Sequence, residues 1–263
     1  MSERPIRVLV VDDSLTVRRH LMEVLGADQR FEVIGEAENG HAAIGLCDRL
    51  RPDVVTLDMV MPEVDGLAAT EHIMAYFPTP ILIVSASINR GEVFHTYDAL
   101  AAGAVDVFEK PRALENGEAW ATRFREQVRR VSRIKVITHP RLKLGGTRAS
   151  APIGVPEPRA PRPYTLVALG ASTGGPSAIA SIVRALPADF ALPILVVLHI
   201  GEAFGPTFAD WLQTQTSLPV RQAVDGEPLP PPGEARVIVA PAEHHLELAA
   251  GRLRVRRGPE RHS

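Results

Sequence analysis

The feature that most constrains the fold is an alternation, over the first 135 residues, of short apolar runs with segments whose apolar residues recur at helical spacing. The strand-like runs lie at 7–11, 31–37, 54–57, 81–84 and 105–108. Helical spacing occurs at 15–26, 41–50, 67–76 and 92–102, and a final charge-rich helical segment covers about 114–134. Five strands that alternate with five helices predict an α/β domain with a parallel, doubly wound sheet.

A proline-rich stretch then divides the chain. Residues 136–163 contain six prolines and a Gly145-Gly146 pair, show no apolar period, and cannot sustain a helix. After this stretch come an apolar run, a glycine-rich turn and a second apolar run at 193–198. We therefore predict a first domain over 1–135, a linker over 136–163, and a second parallel-sheet α/β domain over 164–263.

Composition excludes several classes of protein. The chain carries 29 Lys and Arg against 31 Asp and Glu, so it lacks the basic excess of a dedicated nucleic-acid binder. Its single cysteine, Cys47, rules out an intrachain disulfide and a cysteine metal cluster. The apolar runs are too short to cross a bilayer, and the first resembles a strand more than a signal peptide. We expect a soluble, cytoplasmic protein with no nucleic-acid partner and no membrane insertion.

Polar side chains follow four of the five predicted strands at one edge of the sheet. Asp12 and Asp13 follow the first strand, Asp58 the third, Ser85 the fourth and Lys110 the fifth. Ligands of doubly wound sheets bind at this edge, and three converging carboxylates favour a cation such as Mg²⁺. An Asp beside Mg²⁺ and an ammonium group is suited to accept a phosphoryl group. In the alternative, each acidic residue only starts a turn or caps a helix. That alternative does not explain why all five polar residues follow strands at the same edge of the sheet.

Four segments resemble the receiver domains of response regulators. They are Val11-Asp12-Asp13-Ser14, the stretch from Asp58 through Pro62 to Asp65-Gly66, Val84-Ser85-Ala86, and Lys110-Pro111. The match covers the whole first domain and implies a flavodoxin-like (βα)5 fold. It implies that Asp58 is the phosphoacceptor, and that Asp12, Asp13, Asp58 and the backbone carbonyl of Val60 bind Mg²⁺.

The same resemblance implies that Ser85 is the switch hydroxyl and that Lys110 contacts the phosphoryl group. One departure from the receiver pattern is visible, since many receivers have an aromatic switch residue three positions before the lysine. In this chain that position is Val107, with Phe108 adjacent. Signalling by rotation of an aromatic ring is therefore not expected to follow the common pattern.

The second region opens with an apolar strand that runs into a glycine-rich turn containing Ser172, followed by Pro176. Such a turn exposes a serine hydroxyl beside free backbone N–H groups, as a nucleophile with an oxyanion hole requires. Two alternatives remain at this point. The turn can be a phosphate cradle, although the Walker lysine is missing, or only a tight connection between strand and helix.

A histidine, His199, ends the next apolar strand. In a parallel pair of strands, His199 would lie beside the Ser172 turn, where it could accept the serine proton and later donate it to a leaving alcohol. The pair His244-His245 is not expected to bind a metal together, because adjacent strand residues face opposite ways.

Four segments of the second region resemble the methylesterase domain of the CheB family of chemotaxis proteins. They are Gly170-Ala-Ser172-Thr-Gly-Gly, the strand that ends in His199, Val224-Asp225-Gly226-Glu227, and Ala240 through His245 to Leu248. The resemblance implies hydrolysis of glutamate methyl esters on the cytoplasmic domains of chemoreceptors, together with deamidation of receptor glutamines in many members. Ser172 would be the nucleophile and His199 the base, with no cofactor for hydrolysis. A chemotaxis histidine kinase would phosphorylate the receiver and relieve its occlusion of the esterase.

One part of the family pattern has no counterpart here. The family's catalytic Asp lies in a late Gly-x-Gly-x-Asp-Gly segment, and nothing after His199 matches it. We therefore expect an incomplete esterase domain, either truncated or divergent, in which Asp210 and Asp225 are the remaining acids to consider. The alternative function is a non-catalytic phosphosignalling or receptor-binding protein. A transcription factor is disfavoured, because the second region shows no basic recognition helix.

Overall fold

The computed structural model describes residues 4–86, 90–111, 117–136, 164–201 and 203–257. The first part of the chain forms a five-stranded parallel sheet in the order β2-β1-β3-β4-β5. The strands are β1 Ile6–Val11, β2 Phe31–Ala37, β3 Val54–Leu57, β4 Ile81–Ser85 and β5 Asp106–Glu109. The helices between and after them are α1 Leu15–Gly26, α2 Gly40–Leu50, α3 Gly66–Tyr76, α4 Arg90–Ala102 and α5 Gly117–Ser132. The predicted doubly wound, flavodoxin-like fold is confirmed.

Two apolar layers cover this sheet. On one face α1 packs on β1 and α5 packs on β3, β4 and β5, with Leu21, Leu25, Trp120 and Phe124 fully buried. The other face is covered by α2, α3 and α4. The buried strand residues are apolar on both faces apart from one threonine and one serine, which is the pattern of a parallel sheet enclosed by helices.

The first three helices begin at side chains that cap them. Ser14 Oγ accepts a hydrogen bond from the Val17 N–H, and Asn39 Oδ1 accepts one from the Ala42 N–H at 2.8 Å. Asp65 Oδ1 accepts a hydrogen bond from the N–H of the third residue of α3, also at 2.8 Å. Each cap fixes a loop at the carboxyl edge of the sheet, where the candidate site lies.

The second part of the chain is a four-stranded parallel sheet in the order β6-β7-β9-β8. Its strands are β6 Val167–Ala171, β7 Ile194–Leu198, β8 Val220–Gln222 and β9 Val237–Val239, with α6 Gly175–Ala185 and α7 Gly205–Thr214 among them. An antiparallel hairpin follows, formed by β10 His244–Ala249 and β11 Arg252–Arg257. The predicted second parallel-sheet α/β domain is confirmed, whereas the hairpin was not anticipated.

Helix α4 of the first sheet packs against α6 and α7 of the second. Tyr97 is fully buried there, stacks on Trp211 with ring centroids 5.1 Å apart, and meets the edge of Phe208 at 5.4 Å. Its hydroxyl donates to the Phe204 carbonyl, and the Trp211 indole N–H donates to Asp98 at 2.9 Å. The two sheets thus share one continuous apolar core.

Among the described residues, no helix is both long enough and apolar enough to cross a membrane. The predicted linker over 136–163 lies outside the described residues except for its first residue, so the linker stays a prediction. The same holds for the start of the predicted helix over 114–134, of which 117–132 is helical.

Candidate functional site

Three carboxylates meet at the carboxyl edge of the first sheet. Strands β1 and β3 are neighbours, so the residues that follow them come together, and ligand oxygens of Asp12, Asp13 and Asp58 lie within 4.8 Å of one another. Asp12 is fully buried and Asp58 nearly so, whereas Asp13 is exposed to solvent. Oxygen donors in this number suit a hard divalent cation such as Mg²⁺. The donor set therefore fits the predicted metal, with Asp13 on the side open to water.

Lys110 links two of these carboxylates. Its Nζ lies 2.7 Å from Asp12 Oδ2 and 2.9 Å from Asp58 Oδ2. The lysine follows β5, and its backbone N–H donates to the Ser85 carbonyl at 3.0 Å, which fixes the chain from which the side chain extends. Burial alone would lower the pKa of Lys110, but the Asp58 and Asp12 carboxylates raise it above its usual value. The ammonium is thus held charged at the pocket.

Burial also raises the pKa of Asp58, to about 6, against a usual value of 3.8. The neighbouring Asp12 raises it further, while the Lys110 ammonium and the Met59 N–H, which donates to Asp58 Oδ1 at 2.8 Å, lower it. Most of the Asp58 carboxyl is consequently ionised at neutral pH. In that form it is a nucleophile.

Gly66 is a site residue to which sequence analysis gave no role of its own. Its N–H donates to the Met59 carbonyl at 3.0 Å, and a Cβ on it would lie 2.3 Å from the Asp58 carbonyl oxygen. Only glycine permits α3 to begin so close to the end of β3. The Asp65-Gly66 dipeptide, which caps α3 and then allows this approach, was the available signal.

The remaining predicted receiver residues take varied positions. Ser85 is buried at the end of β4, and the Val60 side chain is exposed. Val107 packs on the α4 side of the sheet, whereas Phe108 packs against Trp120 and Phe124, with ring centroids 5.6 Å apart in each case. Adjacent strand residues face opposite ways, so Phe108 does not stand in for an aromatic residue at Val107.

The second candidate site is built by strand register. Strands β6 and β7 pair in parallel with Ala171 opposite Leu198, and the His199 N–H donates to the Ala171 carbonyl at 2.9 Å. Ser172 and His199 are therefore the first residues past two adjacent paired strand ends, and both are exposed. This placement agrees with the neighbourhood that the sequence predicted for them.

The turn after Ser172 brings α6 close to the strands. The Gly175 N–H donates to the Ser172 carbonyl at 2.6 Å, and Gly174 has φ +77°, a conformation that favours glycine. A Cβ on Gly175 would lie 2.6 Å from a Leu198 methyl carbon. The serine thus sits on a sharp strand-to-helix turn in which Pro176 opens the helix.

This turn touches the first domain. The Gly174 N–H donates to the Val105 carbonyl at 2.9 Å, just before β5. The next residue is Asp106, and burial raises the pKa of its carboxyl above the usual value. Hydrogen bonds, which include one with the Thr173 side chain, offset part of this rise. The two residues after Ser172 therefore both contact the start of β5.

The acids considered as substitutes in the second domain have other surroundings. Asp225 Oδ1 accepts the Val255 N–H at 2.9 Å, so this carboxylate helps to hold the hairpin. Asp210 lies on the exposed side of α7. His244 is partly buried with Nδ1 2.6 Å from the Ala242 carbonyl oxygen, whereas His245 is exposed, which agrees with opposite orientations.

Comparison with known proteins places both parts of the chain. The response regulator receiver domain model matches residues 8–119, and the CheB methylesterase model matches residues 167–263. A protein-glutamate methylesterase/protein-glutamine glutaminase of Myxococcus xanthus is 42% identical over 265 residues, which cover 98% of this chain and 72% of that relative. A second, from Anaeromyxobacter dehalogenans, is also 42% identical, over 257 residues, with the same coverage.

A solved structure, the response regulator domain of Thermotoga maritima CheB, matches with 35% sequence identity and a TM-score of 0.46, over 50% of this chain and 99% of that one. The identity to the two relatives extends across both sheets and over more than two thirds of each relative. The chain therefore belongs to the CheB family of chemotaxis response regulators, the protein-glutamate methylesterases.

Proposed function

We propose that this chain is a phosphorylation-regulated hydrolase of glutamate methyl esters on the cytoplasmic domains of chemoreceptors. In this proposal residues 1–135 are the receiver, 136–163 the linker and 164–263 the methylesterase domain. The observation that carries the proposal is the hydrogen bond from the Gly174 N–H to the Val105 carbonyl. It connects the turn after the candidate nucleophile to the receiver, so a chemical change in the receiver has a direct path to the second site.

Phosphorylation would occur at Asp58. An ionised Asp58 oxygen attacks the phosphorus of the donor, which we propose to be the phosphohistidine of a chemotaxis kinase. The P–N bond breaks as the O–P bond forms, and the kinase imidazole leaves and takes up a proton from solvent. Asp12, Asp13, Asp58 and the Val60 carbonyl would hold Mg²⁺, which supplies positive charge to offset that of the transferring group. The close approach of the three carboxylates supports this assignment.

Two further side chains complete the receiver chemistry. The Lys110 ammonium, 2.9 Å from Asp58 Oδ2, is placed to contact the phosphoryl oxygens when they replace the free carboxylate. The Ser85 hydroxyl would hydrogen-bond the same phosphoryl group from the end of β4. A phosphoryl group that contacts both residues changes the surroundings of β4 and β5. Strand β5 begins next to the contact with the second domain, so the change can reach that contact.

Hydrolysis would follow the serine mechanism. His199 takes the proton from the Ser172 hydroxyl, whose oxygen attacks the ester carbonyl, and then gives that proton to the departing methanol. Water hydrolyses the acyl-serine in a second round, which regenerates the serine. A glutamine side chain in the same place would release ammonia, which accounts for deamidation by the same residues.

The receiver would restrain this site by occupying its donors. An oxyanion needs free N–H groups near the nucleophile, and the Gly174 N–H is bonded to Val105 while Thr173 contacts Asp106. Phosphorylation at Asp58 would weaken the docking of the two domains and free the turn, by a shift between two populated arrangements.

The first test is covalent. Intact-mass measurement of the chain with acetyl phosphate and Mg²⁺ should show the addition of one phosphoryl group. Asp58→Asn should remove it, whereas Asp48→Asn, which alters an exposed carboxylate in a surface ion pair, should not. Phosphorylation of Asp58→Asn to the same extent would overturn the assignment.

The second test is methanol release from methylated chemoreceptor, with and without phosphorylation. Because nothing after His199 matches the segment that carries the family's catalytic Asp, we expect release to be slow. It should rise on phosphorylation and be lost in Ser172→Ala but not in Ser177→Ala, an alteration of a nearby hydroxyl on α6. A chain that gains the phosphoryl group yet releases no methanol in either state would instead be the non-catalytic phosphosignalling or receptor-binding protein.

A further inference from the structure

The Arg18 guanidinium lies against the backbone that carries the acidic pair. Arginine is seldom buried, yet Arg18 is only 8% exposed. Its Nη1 donates to the Asp12 carbonyl at 2.8 Å and to the Asp13 carbonyl at 3.2 Å, and its Nε donates to Glu36 Oε2 at 2.9 Å. One side chain thus joins α1, the loop after β1 and strand β2 at the edge of the sheet where the carboxylates meet.

Fold stability gives a weak reason for an arginine at this place. Arg18 ends the first turn of α1, where the positive end of the helix dipole disfavours a cation. Burial of a guanidinium has a desolvation cost. Its partner Glu36 is 45% exposed, and ion pairs open to water contribute little. What the position does provide is contact with the two consecutive peptide groups that bear candidate metal ligands.

We propose that Arg18 is a positioning residue of the Mg²⁺ site, which fixes the Asp12 and Asp13 peptide groups so that both carboxylates face one cation. The proposal rests on the proposed function of the acidic pocket. Asp12 has other anchors, since its Oδ1 accepts the Ser14 N–H at 3.0 Å and its Oδ2 contacts Lys110. The exposed Asp13 side chain depends more on its backbone, so it loses most when the guanidinium is removed.

The charge of Arg18 acts in the same direction. Three carboxylates that converge without a cation repel one another, and among the described residues Lys110 forms ion pairs only with Asp12 and Asp58. The guanidinium adds a second positive charge beside the backbone carbonyls of Asp12 and Asp13. Arg18 therefore keeps the ligand set together while no metal is bound, so less reorganisation accompanies binding.

The test is calorimetric titration of the full unphosphorylated chain with MgCl₂. In Arg18→Met, which removes both the charge and the donors, the dissociation constant for Mg²⁺ should rise about tenfold, the usual effect of losing a group that orients metal ligands. Arg18→Lys retains the charge and a single-point donor, so it should recover part of that loss. Arg19→Met removes a charge from the exposed neighbouring position and should stay within about twofold of wild type.

Two controls separate positioning from a structural role. Val128→Ala weakens the α5 core far from the pocket, and it should leave Mg²⁺ affinity unchanged even where its unfolding midpoint falls as far as that of Arg18→Met. Glu36→Gln removes the ion pair but keeps the carbonyl contacts, and it should also bind Mg²⁺ normally. Wild-type affinity in a folded Arg18→Met would overturn this inference alone. Absence of Mg²⁺ binding by the wild-type chain would instead overturn the proposed function of the acidic pocket.

Discussion

The two candidate sites of this chain are assembled in different ways. The acidic pocket is closed by direct contacts between charged side chains, with Lys110 within 3 Å of both Asp12 and Asp58. The Ser172 and His199 side chains are both exposed, and what joins them is the backbone pairing of β6 with β7. Contacts between charged side chains arrange the acidic pocket before a ligand binds. Strand pairing fixes only the backbone at Ser172 and His199, so the arrangement of their side chains still depends on the groups that pack around them.

Both sites nevertheless need a glycine at the start of the helix beside them, and the two glycines sharpen the comparison. A Cβ on Gly66 would lie 2.3 Å from a backbone oxygen of Asp58, and one on Gly175 would lie 2.6 Å from a flexible Leu198 methyl and 2.8 Å from the Ala171 Cβ. We expect Gly66→Ala to lower the free energy of unfolding by about 3 kcal/mol and Gly175→Ala by about 2 kcal/mol. The backbone that faces Gly66 cannot move aside, whereas at Gly175 the Leu198 methyl can rotate away and only the Ala171 Cβ must shift. Urea unfolding of the two variants measures the difference, and equal losses would contradict it.

The next effect follows from charge in the acidic pocket. Because the pKa of Asp58 is about 6 in the fold and 3.8 in its usual range, the folded protein binds a proton more tightly than the unfolded chain between these pH values. The contribution of Asp58 to stability therefore falls as pH rises from about 4 to 6, and it stays unfavourable above pH 6.

Asp58→Asn should consequently stabilise the metal-free protein at pH 7 by about 2 kcal/mol and flatten this part of its pH profile. The measurement is the urea midpoint in EDTA at pH 4 and pH 7, with Asp48→Asn as the exposed control. If Asp58→Asn destabilised the fold at pH 7, the carboxylate would be better solvated in the pocket than its burial indicates. Substitution of Ser172 or His199, which are both exposed, should not stabilise the fold in this way. A stabilisation of similar size there would contradict the difference drawn between the two sites.

A third prediction concerns the docking of α4 on the helices of the second sheet. Tyr97→Phe removes the hydroxyl that donates to the Phe204 carbonyl but keeps the stacked ring. We expect the docked arrangement to lose about 1 kcal/mol, the net value of one hydrogen bond, which is about a fivefold gain in opening. Hydrogen exchange at the Gly174 amide should quicken by that factor, while Tyr76→Phe, at an exposed ring, leaves it unchanged. Unchanged exchange in Tyr97→Phe would show that α4 does not hold the turn closed.

Sequence patterns predicted the first site better than the second. Apolar periodicity indicated the ends of the strands, and in a parallel sheet the residues at those ends share an edge, so Asp12, Asp58 and Lys110 could be grouped without a structure.

Arg18 was missed because an arginine within an amphipathic helix is typical of a solvent-facing position. The hydrogen bond between Gly174 and Val105 depends on docking of two sheets that are distant in sequence, and no local pattern encodes it. The hairpin was missed because β11 alternates arginine with only two apolar residues.

A fourth prediction tests how far the apolar sheet interior tolerates a polar group. Thr56 is fully buried in β3, between Val10 and Leu82, and its hydroxyl has no hydrogen-bond partner among the described residues. When a buried hydroxyl makes no hydrogen bond, nothing offsets the free energy lost when it is removed from water. Thr56→Val should therefore raise the free energy of unfolding by about 1 kcal/mol.

Thr70 provides the matched control, because it is equally buried but its hydroxyl donates to the Gly66 carbonyl at 2.7 Å. Thr70→Val removes a bond that is made, so it should destabilise by about 1 kcal/mol. The central strand β7 of the second sheet has only apolar residues, so Thr56 has no counterpart there.

Thr56 lies on β3, two residues before Asp58. A Thr56→Val chain that is more stable yet slower to accept the phosphoryl group from acetyl phosphate would assign this hydroxyl to the acidic pocket. Unchanged phosphorylation together with the gain in stability would place it in the core alone.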